Sequence, residues 1–224
     1  MPYFARTHQL KQSLLYHVYN RSINRGKIFH DDQDYMYFKG LISGYAERMA
    51  LRVYHWVIMS NHYHMLIELD EPERMSSVMA GIGRSYACYH HRKYKSAGYL
   101  WQGRFKSQPI QKELYLIGCG RYIERNPVKT SMVEEVWEYP YSSAAYYILG
   151  KYDSITAESP LFENFGTSIE IRREKYKDFL LDFDAEEEIL FDNIEFPRGS
   201  EEFKKRLVKE NGRFMPRRQG RVRV

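Results

Sequence analysis

LRVYHWVIMSNHYHMLIEL, residues 51–69, reads as a β-hairpin: two apolar, β-branched and aromatic runs joined at Ser60–Asn61. In a strand, side chains two apart share a face. His62 and His64 therefore point the same way, with Tyr63 opposite. Two imidazoles on one face can converge on one divalent ion. An isolated His-x-His more often marks ordinary surface or satisfied histidines, so the pair needs support from elsewhere in the chain. Glu68 shares the face, but it lies roughly 13 Å along the strand from His64, too far for a common set of ligands.

Outward from the hairpin, SLLYHVYN (13–20) reads as a strand, followed by RSINRGK as a polar loop with three bases. DDQDYMYFKGLISGYAERMA is acidic at its start and carries Met36, Leu41, Tyr45 and Met49 at helical spacing. After the hairpin comes a long helix with Pro72 near its start. GRFKSQPI then reads as a fourth strand, and QKELYLIGCGRYIERN as a helix stopped by Pro127. The order β-α-β-β-α-β-α predicts an α+β fold: a ferredoxin-like antiparallel sheet with helices on one face. The texture changes near residue 150. We expect a core domain over 1–150 and a helical extension over 151–224, with helices at 168–182 and 200–210 and a basic C-terminal tail.

The chain has 224 residues, a net charge of +5 and 43% hydrophobic residues, enough for one full core. The charge is uneven. Residues 204–224 hold nine bases and one acid, so residues 1–203 sum to −3. Residues 182–195 hold seven acids and no base. Such asymmetry points to a polyanionic partner for the tail, or to the tail folding onto the acidic segment. Twenty tyrosines suit stacking on unpaired bases, or an aromatic-rich core. Cys88 and Cys119 fit neither a disulfide framework nor a zinc site and read as small core residues. No apolar run is long enough to span a bilayer and the N-terminus lacks a signal-peptide core, so a cytoplasmic protein is expected.

The helix at 111–126 supplies possible partners for the histidines. Tyr122 and Asn126 are four apart and share a helix face. An amide oxygen suits Mg²⁺ or Mn²⁺, and a phenol can attack phosphorus. Tyr115 is the nearest rival, but its i+4 neighbour is Cys119, which offers no hard oxygen. Taken alone, a tyrosine at this position is more often an ordinary core residue.

At this point the residues carry a resemblance. HYH on a strand, WQGRFKS before a strand and RYIERNPVK on a late helix resemble the single-tyrosine HUH transposases, above all the REP-associated tyrosine transposase branch. YHVYNRSINRGKIFHDDQDYMYF, WVIMSNHYHMLIEL and YPYSSAAYYILG support it, over residues 13–150. The resemblance implies that Tyr122 is the nucleophile and that His62, His64 and Asn126 hold a divalent metal, Mg²⁺ or Mn²⁺. The implied activity is cleavage and rejoining of single-stranded DNA at hairpin-forming, REP-like repeats through a 5′-phosphotyrosine. A domesticated hairpin-binding module without turnover is the alternative, and a water-using metal hydrolase a third. Arg21, Arg25, Lys27, Arg104, Lys106, Arg121, Arg125 and Lys129 are candidate phosphate contacts. The expected partners are single-stranded and hairpin DNA, with no membrane, and we expect a nucleoid-associated monomer.

Overall fold

The computed structural model describes residues 14–182, 191 and 197–211, apart from the side chains of 113, 114 and 208–211. Most of the acidic 182–195 segment and residues 212–224 of the basic tail lie outside the described residues.

Four strands, β1 (Leu15–Arg21), β2 (Leu51–Ile58), β3 (His62–Leu69) and β4 (Lys106–Ile110), form one antiparallel sheet in the order β2-β3-β1-β4. Helices α1 (Asp32–Arg48) and α2 (Met75–Tyr94) connect the strands. Then follow α3 (Lys112–Lys129), α4 (Ala144–Leu149), α5 (Ile169–Leu181) and α6 (Glu201–Asn211). This is the α+β, ferredoxin-like arrangement expected from the order of elements.

Helices do not keep to one face. Tyr16, Val18, Val53, Trp56, Tyr63, Met65 and Ile67 turn to the α1/α2 side. Leu15, Tyr54, Val57, Leu66 and Ile110 pack on the other side, beneath Leu116, Cys119, Tyr122 and Ile123 of α3. Beyond His62 every residue of β3 is buried, so both faces need cover, and α3 supplies the second layer. A register shift between Val53 and His55 turns Tyr54 and His55 to the α3 side in succession. The sheet edges are also closed: Val57 bridges Ser142 and Val53 bridges Thr156 beside β2, and Ile110 bridges Arg198 beside β4.

Helix α1 starts at a reciprocal capping box between Asp31 and Asp34. Its inward residues are Tyr35, Phe38 and Ile42. Leu41, Tyr45 and Met49 flank that core and Met36 is exposed, so the apolar stripe is rotated from the expected one. Asp34 accepts from Lys93 Nζ (2.8 Å), Tyr94 (2.7 Å), Tyr89 (3.0 Å) and the His30 N–H (2.7 Å), which ties α1 to the end of α2. Burial pushes this carboxyl up, but these donors outweigh it and hold the pKa at about 2. The folded pKa is depressed, so the stabilisation is complete above the ordinary carboxylate pKa and is lost as pH falls towards 2. Asp34→Ala should lower unfolding stability by about 3 kcal/mol in a urea titration, with the loss narrowing on acidification.

The tyrosines are mostly core: Tyr16, Tyr63, Tyr86, Tyr147 and Tyr176 are among the largest fully buried side chains, whereas Tyr99 and Tyr152 are exposed. Cys119 is buried as expected, but Cys88 is exposed, because the inward face of α2 passes through Ile82, Tyr86 and His90.

Candidate active site

β3 projects His62, His64, Leu66 and Glu68 towards α3, and β1 projects His17, Tyr19 and Arg21 beside them. The register sets Tyr19 opposite His64 and Arg21 opposite His62. α3 brings Tyr122 and Asn126 over this row. The ring centroids of Tyr122 and His64 are 5.6 Å apart, edge to face, and those of His62 and His64 are 5.2 Å apart. The Asn126 amide meets His62. Glu68 is engaged elsewhere, with Tyr54 and Arg52.

The end of α3 shows why Asn126 is aimed at the sheet. Pro127 was expected to stop the helix, yet it lies inside it. Proline removes the N–H that would bond the carbonyl four residues back, Ile123. Asn126 Nδ2 reaches the freed region, donating to Tyr122 O at 2.8 Å and Ile123 O at 3.4 Å. Thr130 then closes the last turn through Asn126 O. The amide nitrogen is thus committed to the helix, and the amide oxygen is left for the cleft.

Each histidine has one ring nitrogen committed in the same way. His62 Nδ1 lies 2.6 Å from Asn61 Oδ1, and His64 Nδ1 lies 2.8 Å from His17 Nε2. That leaves Nε2 on both rings. Burial lowers the His62 pKa to about 4 and carries that of His64 well below the ordinary value. Both rings are therefore neutral near pH 7, the state in which imidazole binds a metal. Two neutral imidazole nitrogens and one amide oxygen, each with its other polar atom occupied, fit a hard or borderline divalent ion. Among the described residues no group of three His, Cys, Asp or Glu is placed to hold a metal ion.

Two residues at the site were missed by the sequence reading. His17 is fully buried and bonded to His64. Tyr19 packs its ring 4.7 Å from His64 and 5.9 Å from His62. The signal was available: His17 and Tyr19 share one parity on β1, but the register that sets them beside β3 is a tertiary fact.

The candidate phosphate contacts divide into two groups. Arg21, Arg25 and Lys27 lie at the end of β1 and in the loop after it. Arg104 lies just before β4 rather than on it, and Lys106 opens β4 opposite Tyr19. Backbone bonds from Ser22 to Asn61, Ile23 to Leu100 and Gln102 to Arg21 knit these loops into one rim at the His62 end of the sheet. Lys129 stands 5.5 Å from the centre of the Tyr122 ring. Arg121 and Arg125 do something else. Arg121 donates to the carbonyls of Phe179 and Asp182 and covers the Phe179 ring, and Arg125 donates to Leu180 O at 2.7 Å. Both cap the C-terminal end of α5, where cations meet unpaired carbonyls.

α3 is held in place by Glu124, two residues past Tyr122. Its buried carboxyl accepts from His55 Nδ1 (2.9 Å), Ser143 Oγ (2.6 Å) and Tyr176 Oη (2.8 Å), drawn from β2, the start of α4 and α5. Gly120, one turn earlier, lets the His55 ring lie against the helix: a Cβ there would stand 2.8 Å from the ring. Glu124→Ala would strand three buried donors, with an expected loss of ~3–5 kcal/mol in urea unfolding.

A family model described as "Transposase IS200 like" matches residues 10–126. Among solved structures, the chain is similar to the "Structure of the REP associates tyrosine transposase bound to a REP hairpin". The TM-score is 0.56 and the identity 20%, over 70% of this chain and 92% of that one. No curated protein matches the chain.

Proposed function

The chain belongs to the IS200-like transposase family, and from that premise we propose that it cleaves and rejoins single-stranded DNA beside hairpin-forming, REP-like repeats through Tyr122. The observation that carries this reading is the convergence of His62, His64, Asn126 and Tyr122 from one strand and one helix. The likeness to a solved transposase bound to a REP hairpin supports the choice of a hairpin as ligand.

Tyr122 supplies the attacking oxygen. Its attack on the phosphorus forms a Tyr122 O–P bond and breaks the bond to the 3′ oxygen. The products are a 5′-phosphotyrosine and a free 3′-hydroxyl, and the tyrosyl proton is passed on towards the departing oxygen. A phenol has an ordinary pKa near 10, so it must be aligned and helped to lose that proton. Lys129 stands over the Tyr122 ring, where its charge would meet a phosphate brought to the hydroxyl. A divalent ion, Mg²⁺ or Mn²⁺, held by His62, His64 and Asn126 would polarise the scissile phosphate and offset its growing charge. The phosphotyrosine retains the energy of the diester, so a second 3′-hydroxyl can reverse the step without ATP.

Arg21, Arg25, Lys27, Arg104 and Lys106 line the rim and would hold the phosphates that lead into the cleft. Arg121 and Arg125 are not retained as DNA contacts, because α5 occupies them. No helix among the described residues is long and apolar enough to cross a membrane. We take the protein to act as a monomer on DNA in the nucleoid.

A denaturing gel with a 5′-flanked hairpin separates the readings. A transferase leaves a protein–DNA adduct, a hydrolase cuts without one, and a binding module does neither. EDTA should abolish the adduct, and intact cleavage in EDTA would remove the metal from the mechanism.

The basic tail has its own test. Leu207 is buried, so residues up to 211 belong to α6 and should stay. Ending the chain after Asn211 removes Arg213, Arg217, Arg218, Arg221 and Arg223. If these clamp phosphates, hairpin affinity should fall and its log–log salt slope flatten by roughly 0.7–0.9 for each phosphate no longer neutralised. A faster cleavage rate with unchanged affinity would mark the tail as a lid instead.

A further inference from the structure

We propose that His17 and Gln108 are positioning residues that hold His64 in the tautomer protonated on Nδ1, so that its Nε2 lone pair faces the cleft. This rests on the proposed role of His64 as a metal ligand and assigns the device that makes the ring competent for it.

One proton has two possible directions between the rings. His17 Nε2 and His64 Nδ1 are 2.8 Å apart, and both rings are buried. Either His64 donates to His17 or His17 donates to His64. A neutral imidazole carries one N–H. If His64 donates, its proton is on Nδ1 and Nε2 is a lone pair. If His17 donates, the His64 proton moves to Nε2, and the ring presents a hydrogen where a ligand atom is needed. The hydrogen bond alone does not choose between these states.

The choice is made one step further from the cleft. When His64 donates, His17 carries its own proton on Nδ1. That atom is fully buried, where an unanswered N–H costs about 1–3 kcal/mol. The register of β1 with β4 sets Gln108 directly opposite His17, on the same face and equally buried. That register sets the Gln108 amide beside the ring, where a bond from His17 Nδ1–H to the amide oxygen would favour a proton on that nitrogen. Gln108, His17 and His64 then form one directed chain from β4 through β1 to β3. Asn61 does for His62 in one step what this chain does for His64 in two. Outer partners of this kind fix tautomer and ring orientation in metal sites generally, and losing them costs about 10–100-fold in metal affinity.

The test uses full-length, metal-free protein with ¹⁵N-labelled histidine at pH 7.5. Long-range ¹H–¹⁵N correlation reads the tautomer of His64 directly. Wild type should show Nδ1 protonated and Nε2 bare. The opposite tautomer in wild type would overturn the inference without any variant. Gln108→Met removes the acceptor at similar volume. It should shift His64 towards the Nε2-protonated form and weaken binding of Mn²⁺ alone about 10–100-fold, followed by electron paramagnetic resonance. His17→Leu should do the same, whereas His17→Gln returns an acceptor and should restore most of the affinity. Unchanged tautomer and Mn²⁺ affinity in Gln108→Met would sink the proposal. The transferase reading fails separately: wild type would then bind Mn²⁺ with the expected tautomer and yet leave no adduct with hairpin DNA.

Discussion

Tyr122→Phe is expected to abolish the covalent protein–DNA adduct while hairpin affinity stays within about threefold of wild type. The variant loses one oxygen and keeps the ring that packs against His64 and His17. A missing nucleophile has no substitute, so the loss should reach roughly 10³-fold or more. Two controls make the assignment specific. Tyr115 lies two turns earlier on α3, partly buried against the same apolar layer, and Tyr115→Phe should form adduct normally. Tyr19 is the harder control, because its ring touches both histidines. Burial raises the pKa of its hydroxyl, and the nearby Arg21 and Arg25 only partly offset that. Tyr19→Phe should therefore retain the adduct. An adduct of wild-type yield from Tyr122→Phe, or its loss only in Tyr19→Phe, would move the nucleophile to β1.

His64→Ala should remove cleavage to a similar extent, and excess Mn²⁺ should rescue it poorly. The substitution deletes a proposed metal ligand and strands His17, whose Nε2 is bonded to His64. His62→Ala should also abolish cleavage, but with less effect on folding, since His62 is only partly buried and its neighbour Asn61 can turn to water. Asn126→Ala should be milder, on the order of tenfold, because water can replace one oxygen ligand. Asn126→Ala carries a second consequence. Its amide also serves the carbonyls of Tyr122 and Ile123 beside Pro127. A measurable drop in thermal stability should therefore accompany the reduced activity, whereas Tyr122→Phe should be close to neutral. Measuring adduct yield and melting temperature on the same four variants separates ligand removal from helix damage.

The local pattern of this chain determined a good deal. Alternation in Leu51–Leu69 specifies a hairpin and sets His62 and His64 on one face, because the side-chain period of a strand is two. The spacing of Tyr122 and Asn126 sets them on one helix face by the same kind of rule. Element order supplied the antiparallel α+β sheet. What these rules do not contain is the relation between elements. Whether α3 joined α1 and α2 or crossed to the opposite face depended on which side of the sheet still had apolar area to cover, and that is a sum over all four strands. The same limit hid His17, Tyr19 and Gln108. Each becomes part of the site only through the registers of β1 with β3 and of β1 with β4. It also hid the second role of Arg121 and Arg125. As sequence they are bases beside a candidate nucleophile, but a charge goes to the nearest unsatisfied partner, and the packing of α5 against α3 supplied backbone carbonyls there. Which residue types the chemistry needs was written along the chain, while which of them meet was decided by cross-strand register and by the burial of two sheet faces.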